Sequence, residues 1–321
     1  MKTPSPIEEA TIQYKEWLGK QTFIVESDLQ RKYEKMRSDP SGFIFFRGTF
    51  YRWAKLWDKK RKELRERGVL IAGAPELFCI GDLHVENFGT WRDSEGRLIW
   101  GVNDVDEAYW MHYQNDLVRL AASIFFAMEQ KNDLTWKLSP DDLCNAILEG
   151  YEEGLDAGGK PFIMERHIPW LWKIATHPSR TPEQFLINLE QKVKPGKHGI
   201  PSRLAEEAAE ALSQVAPEGT EGSKLFRRRA GVGSLGRPRL VQYFTGLYGQ
   251  VVRETKAVVP SACVFLGQGK PVKNAYRKIL RPAVRGESPP WRSTGNSCET
   301  PSPDTESPAT GMASHCGKRD G

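Results

Sequence analysis

The chain has 321 residues, with 46 Lys and Arg against 41 Asp and Glu, and a formal net charge of +5. That length can hold one large domain or two moderate ones. The mild positive charge suits an anionic ligand such as a nucleotide but does not indicate nucleic-acid binding. No apolar stretch is long enough to span a membrane, and residues 1–20 are too polar for a signal peptide. We therefore expect neither a nucleic-acid partner nor a membrane partner.

Helices are predicted for the first part of the chain. Residues 5–8 (SPIE) combine a cap, a proline in the first turn and the glutamate of a capping box, and residues 27–30 (SDLQ) start a second helix. Residues 43–57 are rich in aromatic side chains and include Arg47. The Arg47 guanidinium can either stack on those rings or reach a phosphate group, and the sequence leaves both open.

The most informative pattern consists of residues 81–89 (GDLHVENFG) and 103–106 (NDVD). Phosphoryl transfer needs a carboxylate that orients and deprotonates the nucleophile, and oxygen ligands that hold Mg²⁺ on the phosphates. Protein kinases supply them with the same Asp-to-Asn interval, followed by a metal-binding Asp beyond a short hairpin. The spacing predicts Asp82 as the catalytic base and Asn87 and Asp104 as metal ligands. Asp106 is a further candidate ligand.

The surrounding residues predict a strand and a hairpin that support this assignment. Residues 77–80 (LFCI) read as a buried strand, and residues 90–102 as two short strands around an Asp-Ser-Glu-Gly turn. The alternative is a pair of buried acids that only cap loops. Three correctly ordered groups around a hairpin favour the functional interpretation.

His84 has two interpretations. It could ligate metal in a phosphohydrolase, but such two-metal sites need several further His, Asp and Asn ligands. None of the other five histidines lies in a Gly-Asn-His or Gly-His-x-His setting. We therefore expect His84 to hold the catalytic loop by hydrogen bonding, and Glu86 to be solvated.

A strong helix is predicted from Asp116, which could serve as its N-cap. Apolar residues recur at helical spacing and are expected to form its buried stripe: Leu117, Leu120, Ala121, Ile124, Phe125 and Met128. Further helices are predicted from Ser139, over residues 183–191 and over residues 203–215. Residues 216–223 are expected to form a linker.

Residues 231–236 (GVGSLG) form a glycine-rich loop, followed by a strand, a turn, a second strand and Lys256. In this order the loop amides could contact phosphate oxygens, and the lysine could add charge. The phosphate contacts are assigned to Gly231, Gly233, Ser234, Gly236 and Lys256. A Rossmann loop would open a helix, whereas Arg237-Pro238 and β-rich sequence follow here. An ordinary hairpin with an exposed lysine remains the alternative.

Residues 227–229 (RRR) are the tightest basic cluster in the sequence. We expect a solvated patch there; contact with phosphate beside the glycine loop is the second interpretation.

The glycine loop follows the catalytic motif by about 145 residues, whereas it precedes that motif in protein kinases. The fold is therefore permuted, or one motif is accidental. The sequence resembles a bacterial family of uncharacterised proteins, domain of unknown function 2252. The stretches that carry the resemblance are residues 46–48 (FRG), 81–89, 103–107 (NDVDE), 115–123 (NDLVRLAAS), 231–236, 256–257 (KA) and 260–262 (PSA).

That family looks related to protein-kinase-like phosphotransferases such as the aminoglycoside phosphotransferases. The resemblance implies that Asp82 is the base, that Asn87 and Asp104 hold the metal and that Lys256 binds phosphate. It also implies that Asp116 braces the backbone of the catalytic loop. It supplies no substrate.

Three segments are expected along the chain. Residues 1–215 would form a mainly helical catalytic lobe, and residues 216–285 a partial, β-rich nucleotide lobe. Residues 286–321 would be disordered, because residues 287–321 contain no Leu, Ile, Val, Phe or Tyr. The sequence departs from the family after about residue 283, which would weaken nucleotide affinity. Five scattered cysteines, an odd number, predict a reducing cytoplasm and no zinc site.

The sequence thus predicts an α+β, protein-kinase-like fold, circularly permuted so that the catalytic lobe precedes the glycine-loop lobe. The predicted activity is transfer of a phosphoryl group from ATP, with Mg²⁺, to a hydroxyl of an unidentified small molecule or protein. Two alternatives stay open: a non-catalytic, truncated pseudokinase-like binding module, and a metal-dependent phosphohydrolase centred on Asp82, His84 and Asn87.

Overall fold

The computed structural model describes residues 4–69, 73–93, 95–130, 139–195, 199–247, 249–272, 275–280 and 312–315. Four helices come first: α1 (Pro6–Gln21), α2 (Glu26–Ser38), α3 (Phe43–Gly48) and α4 (Phe50–Glu66). Ser5 and Glu8 form the predicted capping box of α1. Helix α2 begins at Glu26, one residue before the predicted start at Ser27.

Four short strands follow: β1 (Glu76–Cys79), β2 (Phe88–Arg92), β3 (Leu98–Val102) and β4 (Tyr109–His112). Strands β2 and β3 form the predicted antiparallel hairpin, which pairs Phe88 with Val102. The Asp93 carboxylate closes its turn by accepting the amides of Glu95 and Arg97 at 3.1 and 2.9 Å. Strand β4 pairs antiparallel with β1. The segment between β1 and β2 and the one between β3 and β4 therefore lie side by side.

Helices dominate the next part of the described chain. They are α5 (Gln114–Gln130), α6 (Pro140–Asp156), α7 (Met164–His167), α8 (Pro169–Ala175), α9 (Pro182–Glu190) and α10 (Ser202–Ser213), with strands β5 (Phe162–Ile163) and β6 (Val193–Pro195) between them. The helices predicted from Ser139, over residues 183–191 and over residues 203–215 are thus present. None of the helices in the described ranges is long and apolar enough to cross a membrane.

The glycine loop connects two neighbouring strands of the larger sheet. The last elements are β7 (Glu221–Gly222), β8 (Phe226–Arg228), β9 (Arg239–Gly246), β10 (Gly249–Ala257), α11 (Ala262–Phe265), α12 (Ala275–Leu280) and β11 (Met312–His315). The strand order is β11-β10-β9-β8-β6, with β7 also paired to β9. Strands β2, β3 and β5 form a separate sheet. Helices and sheets together confirm the α+β class.

Helix α2 packs on the segment that contains the glycine loop, 200 residues later in the chain. Asp28 forms ion pairs with Arg227 and Arg229, and Glu254 forms ion pairs with Arg228 and Arg239. The expectation of a solvated basic patch at residues 227–229 is therefore wrong. The tertiary structure places a carboxylate beside each arginine, which removes the need for solvation.

The predicted division at residues 215 and 285 stays a prediction. Of the segment expected to be disordered, only Met312–His315 is described, as a strand paired with β10. The rest of residues 286–321 lies outside the described residues.

Candidate functional site

The predicted base lies on the loop between β1 and β2, at the end of a short strand. The chain turns there at Gly81, whose φ is +83°. A Cβ on that residue would lie 2.4 Å from the Glu107 carbonyl oxygen, so a side chain at this position would force backbone to move. Glycine thus lets the Asp82 loop pack directly against the chain that follows Asp104.

Helix α5 braces this loop with polar side chains. Asp116 accepts the amides of Ile80 and Gly81 at 2.8 and 3.0 Å, which is the bracing role that the family resemblance implied. Asn115 donates to the Gly81 carbonyl at 3.0 Å. Ser123 accepts the Val85 amide at 2.9 Å. Within the described residues the regular secondary structure of the loop is one turn of 3-10 helix at Val85–Asn87, and α5 satisfies several of its other backbone groups.

The expected buried apolar stripe of α5 requires a correction. Its fully buried side chains are polar: Asn115, Arg119 and Ser123 are 0 to 1% exposed. The apolar residues Leu117, Leu120, Ala121, Ile124, Phe125 and Met128 are only partly buried. The reason is physical: the face of α5 turned to the loop must supply hydrogen bonds, and an apolar stripe cannot.

Arg119 is a side chain of the candidate site that the sequence did not indicate. Its Nε donates to Asp82 Oδ1 at 2.8 Å, and its Nη2 contacts the same oxygen. The guanidinium lies over the ring of Phe46, 4.0 Å from the centroid, and close to Phe50 and Trp53. The available sequence signal was an arginine inside an otherwise apolar helical segment. A buried arginine is usually paired with an acidic or hydrogen-bonding group, so its position indicated such a partner.

The Asp82 carboxylate therefore has one occupied and one open oxygen. Both guanidinium contacts are to Oδ1, and Oδ2 has no protein partner within the described ranges. Burial raises the pKa of Asp82, and the nearby Asp104 carboxylate acts in the same direction, against the opposing effect of Arg119. A carboxylate whose pKa is shifted upwards is a better proton acceptor for a hydroxyl.

His84 is buried, and its Nε2 accepts a hydrogen bond from Arg47 Nε at 3.4 Å. Burial and the neighbouring Arg47 charge lower the pKa of His84 to about 3, so the imidazole is neutral at physiological pH. This agrees with a loop-holding role. Arg47 also forms an ion pair with Glu86, which is half exposed but not simply solvated as expected. Arg47 lies near the ring of Phe43 as well, so its guanidinium joins the aromatic segment to the catalytic loop.

Asn87 connects the two halves of the motif. Its Nδ2 donates to the backbone carbonyls of Asp82 at 2.6 Å and Asp104 at 3.4 Å. These two bonds fix the orientation of the amide, and its oxygen has no protein donor within the described residues. The Asp104 side chain is 53% exposed. The surrounding protein displaces solvent and opposes ionisation, but the Lys256 ammonium and Arg237 outweigh this and hold the pKa of Asp104 below its ordinary value.

Lys256 reaches this site from strand β10. Its Nζ lies 2.7 Å from both carboxylate oxygens of Asp106 and 3.8 Å from Asp104 Oδ1. Arg237 lies 3.8 Å from the same Asp106 carboxylate. The two distant sequence motifs thus meet, and Lys256 is buried, not the exposed lysine of an ordinary hairpin. Asp106 is occupied by two cations, which leaves Asp104 as the more accessible carboxylate.

The glycine loop is a series of turns between β8 and β9. Gly231 and Gly236 have φ values of +67° and +100°, which explains the glycines there. The Ser234 hydroxyl donates to the Ala230 carbonyl at 3.0 Å and accepts from Arg239 at 2.9 Å, so it holds the loop together. The amides of Val232, Gly233 and Ser234 have no protein acceptor within the described residues. Those amides are free to bind an anionic oxygen.

No cluster of three or more His, Cys, Asp or Glu side chains suited to a metal ion occurs in the described part of the chain. A cation held by Asn87 and Asp104 would complete its shell with phosphate oxygens and water, as Mg²⁺ commonly does. The oriented amide oxygen and the ionised, accessible carboxylate fit such an ion.

Comparison with known proteins finds a similarity for the segment that carries the Asp82 loop. No curated protein matches the chain, and no solved structure matches it. Residues 24–168 match the model of a family described as "Uncharacterized protein conserved in bacteria (DUF2252)", and this segment contains Arg47, Asp82, Asn87, Asp104 and Arg119.

Proposed function

We propose that the protein transfers the γ-phosphoryl group of ATP, with Mg²⁺, to a hydroxyl of an acceptor, and that it does so on a circularly permuted kinase-like fold. The observation that carries this proposal is the position of Lys256. Its ammonium lies 3.8 Å from Asp104, the accessible carboxylate of the loop motif. If the glycine-loop motif were accidental, its lysine would not be expected to lie beside that carboxylate.

The order of the elements supports the permuted kinase-like fold. Strand β8, the glycine loop, β9, a tight turn and β10 with Lys256 follow one another as in a kinase nucleotide lobe. Strand β1, the loop with Asp82, the β2–β3 hairpin and Asp104 follow the order of a kinase catalytic lobe. The catalytic elements come first in this chain.

Each side chain then has a defined task. Asp82 Oδ2 accepts the proton of the acceptor hydroxyl, while Arg119 holds the other oxygen and fixes the carboxylate. Asn87 and Asp104 would hold Mg²⁺, which supplies charge neutralisation on the phosphate oxygens when bound. Lys256 and the amides of the glycine loop bind the phosphates.

One observation favours the alternative of a non-catalytic binding module. Both oxygens of Asp106 are bound to the Lys256 ammonium at 2.7 Å. If that ion pair persists when a nucleotide binds, the lysine offers less charge to the phosphates. A protein of this kind would bind nucleotide without transferring phosphate.

Titration calorimetry of the full chain with ATP, with and without Mg²⁺, tests the proposal. We expect binding that depends on the metal and is weakened by both Asp104→Ala and Lys256→Ala. Because these two residues come from different motifs, loss of binding in both variants, each shown to be folded, would support a single shared site. Absence of binding by folded wild-type protein would contradict the proposal. Phosphate release from a generic ester without any acceptor would indicate the phosphohydrolase instead.

A further inference from the structure

We propose that Lys32 is a positioning residue for the glycine loop: it fixes the Gly233–Ser234 peptide so that the Ser234 amide is available to an anionic oxygen. The inference rests on the proposed function only for the identity of that anion, a polyphosphate. The loop conformation itself is a property of the protein that can be measured without any ligand.

Helix α2 lies against the loop along one face. Its buried residues are Asp28, Leu29 and Lys32, and the first and last are one helical turn apart. Leu29 packs on Gly236, where a Cβ would lie 3.2 Å from the leucine Cβ. Immediately before the helix, the Val25 amide donates to the Gly236 carbonyl at 2.8 Å. Helix α2 thus holds the far end of the loop by packing and by a backbone hydrogen bond.

Lys32 holds the middle of the loop. Its Nζ donates to the Gly233 carbonyl at 3.1 Å, and the residue is only 7% exposed. No carboxylate pairs with it within the described residues. Burial, with the charge of Arg237 acting in the same direction, lowers the pKa of Lys32 to about 8. Burial of a lysine without an acidic partner is unfavourable for stability, so the hydrogen bond to the Gly233 carbonyl is the contact that offsets part of this cost.

Peptide geometry turns this contact into an orientation. The described chain has no cis peptide bonds, and in a trans peptide the carbonyl and the following amide point in opposite directions. Because the Gly233 carbonyl points at Lys32, the Ser234 amide points away from α2. That amide has no protein acceptor within the described residues, and Gly233 is exposed. The ammonium also polarises the peptide, which strengthens a hydrogen bond from the Ser234 amide.

The same lysine joins the loop to the segment that carries Arg47. A Cβ on Gly48 would lie 3.4 Å from Lys32 Cε, so the lysine stem runs across this glycine. A Cβ on Gly233 would lie 3.7 Å from the Arg47 carbonyl oxygen. Lys32 therefore lies between the end of helix α3 and the glycine loop. Gly233 of that loop lies close to Arg47, the residue whose side chain donates a hydrogen bond to His84.

Amide hydrogen exchange of the full chain tests this inference. We would compare the wild type with Lys32→Met, which keeps the side-chain length and removes the charged donor, and with Lys32→Arg, which retains a charged donor. Lys35→Met is the matched control, because Lys35 lies on the exposed side of the same helix. Inorganic tripolyphosphate is the probe of anion binding in each protein.

In Lys32→Met we expect the hydrogen-bonded amides of Leu235 and Arg237, which close the turns of the loop, to exchange about tenfold faster, while those of β9 and β10 keep the wild-type rate. Tripolyphosphate binding should weaken in the same variant. Lys32→Arg should restore part of both properties, and Lys35→Met should match the wild type. The unchanged rates in β9 and β10 would show that the variant is folded.

Unchanged exchange of the Leu235 and Arg237 amides in folded Lys32→Met would overturn the inference. If Lys32→Met does not fold, wild-type exchange rates in Lys32→Arg are the supporting result and accelerated exchange confined to this loop is the contrary one, since arginine must reach the same carbonyl. Faster exchange without tripolyphosphate binding in any of the proteins would support the positioning role of Lys32 while contradicting the proposed phosphotransferase function.

Discussion

The Lys256 ammonium lies 2.7 Å from each carboxylate oxygen of Asp106, a residue 150 positions earlier in the chain. Both side chains are buried, and Arg237 lies 3.8 Å from the same carboxylate. This ion pair joins the glycine-loop segment to the residues that follow the catalytic hairpin. A bound nucleotide would compete with Asp106 for the lysine, and Arg237 would then remain to neutralise the carboxylate.

The first prediction concerns the strength of that pair. Lys256→Met should destabilise the protein by about 3 kcal/mol, because it leaves the buried Asp106 with one distant cation. In a double-mutant cycle with Asp106→Asn, we expect a coupling of more than about 1 kcal/mol in urea denaturation. The exposed pair of Lys60 and Glu63 serves as the control and should show almost no coupling. Additive effects at Lys256 and Asp106 would mean that their contact contributes nothing in solution.

A second prediction concerns the buried arginine beside the base. Arg119→Met should destabilise the protein by about 3–5 kcal/mol, because Asp82 loses its charged partner while the arginine cavity closes imperfectly. Arg119→Lys should be less destabilising, since it keeps a charge but not the two contacts to one oxygen. Denaturant unfolding measures both. Wild-type stability of Arg119→Met would contradict the assigned ion pair.

Asp82 itself gives a third prediction, which separates catalysis from binding. Asp82→Asn retains an oxygen for Arg119 but cannot accept the proton of an acceptor hydroxyl. We expect turnover to fall by roughly 100-fold or more, with ATP affinity nearly unchanged. Steady-state kinetics and calorimetry measure the two quantities, and Glu95→Gln, an exposed residue of the hairpin turn, is the control. Equal turnover in Asp82→Asn would remove this residue from the role of base.

The bracing of the catalytic loop gives a fourth prediction. Ser123→Ala removes the acceptor of the Val85 amide and leaves that amide unsatisfied, at a cost of about 1–3 kcal/mol. Ser213→Ala on the exposed end of α10 should have little effect, since that hydroxyl bonds only within its own helix. Thermal or urea unfolding provides the comparison. Equal losses of stability in the two variants would show that the hydrogen bond from Val85 to Ser123 contributes no measurable free energy of unfolding.

A fifth prediction follows from the lowered pKa of Lys32. The folded-state pKa is about 8 against an ordinary value of 10.5, so between these pH values the unfolded chain binds more protons at this site. Its contribution to stability is therefore present above pH 10.5 and is lost as the pH falls through 8. Relative to Lys32→Met, the wild type should gain on the order of 3 kcal/mol of unfolding free energy between pH 8 and 10.5.

The free energy of unfolding of the two proteins is measured over that pH range. Taking the difference between the two values removes the contribution of other titrating groups. The charged groups that act on Lys32 are Arg237, which follows the glycine loop, Glu107, which follows the catalytic hairpin, and Asp82. Lys35→Met, on the exposed side of the same helix, is the control for replacing a lysine of α2 by methionine. A constant difference between wild type and Lys32→Met would mean that Lys32 titrates like an exposed lysine.

The sequence alone determined the features that depend on neighbouring residues. The capping box of Ser5 and Glu8 fixes the start of α1, and the turn closed by Asp93 fixes the hairpin that delivers Asp104. Both follow from hydrogen bonds between residues a few positions apart, which local patterns reveal. The spacing from Asp82 to Asn87 is a local property of the same kind.

Only the tertiary structure decided which charges meet. Arg119 reaches Asp82 across 37 positions, Lys32 reaches Gly233 across 201, and Arg227 pairs with Asp28 in a cluster that the sequence presented as a solvated patch. A buried charged side chain needs an opposite charge or a hydrogen-bonding group close by, and periodicity carries no information about a partner so far along the chain. The sequence therefore sufficed to nominate candidate site residues, whereas the groups that contact them became visible only in the folded protein.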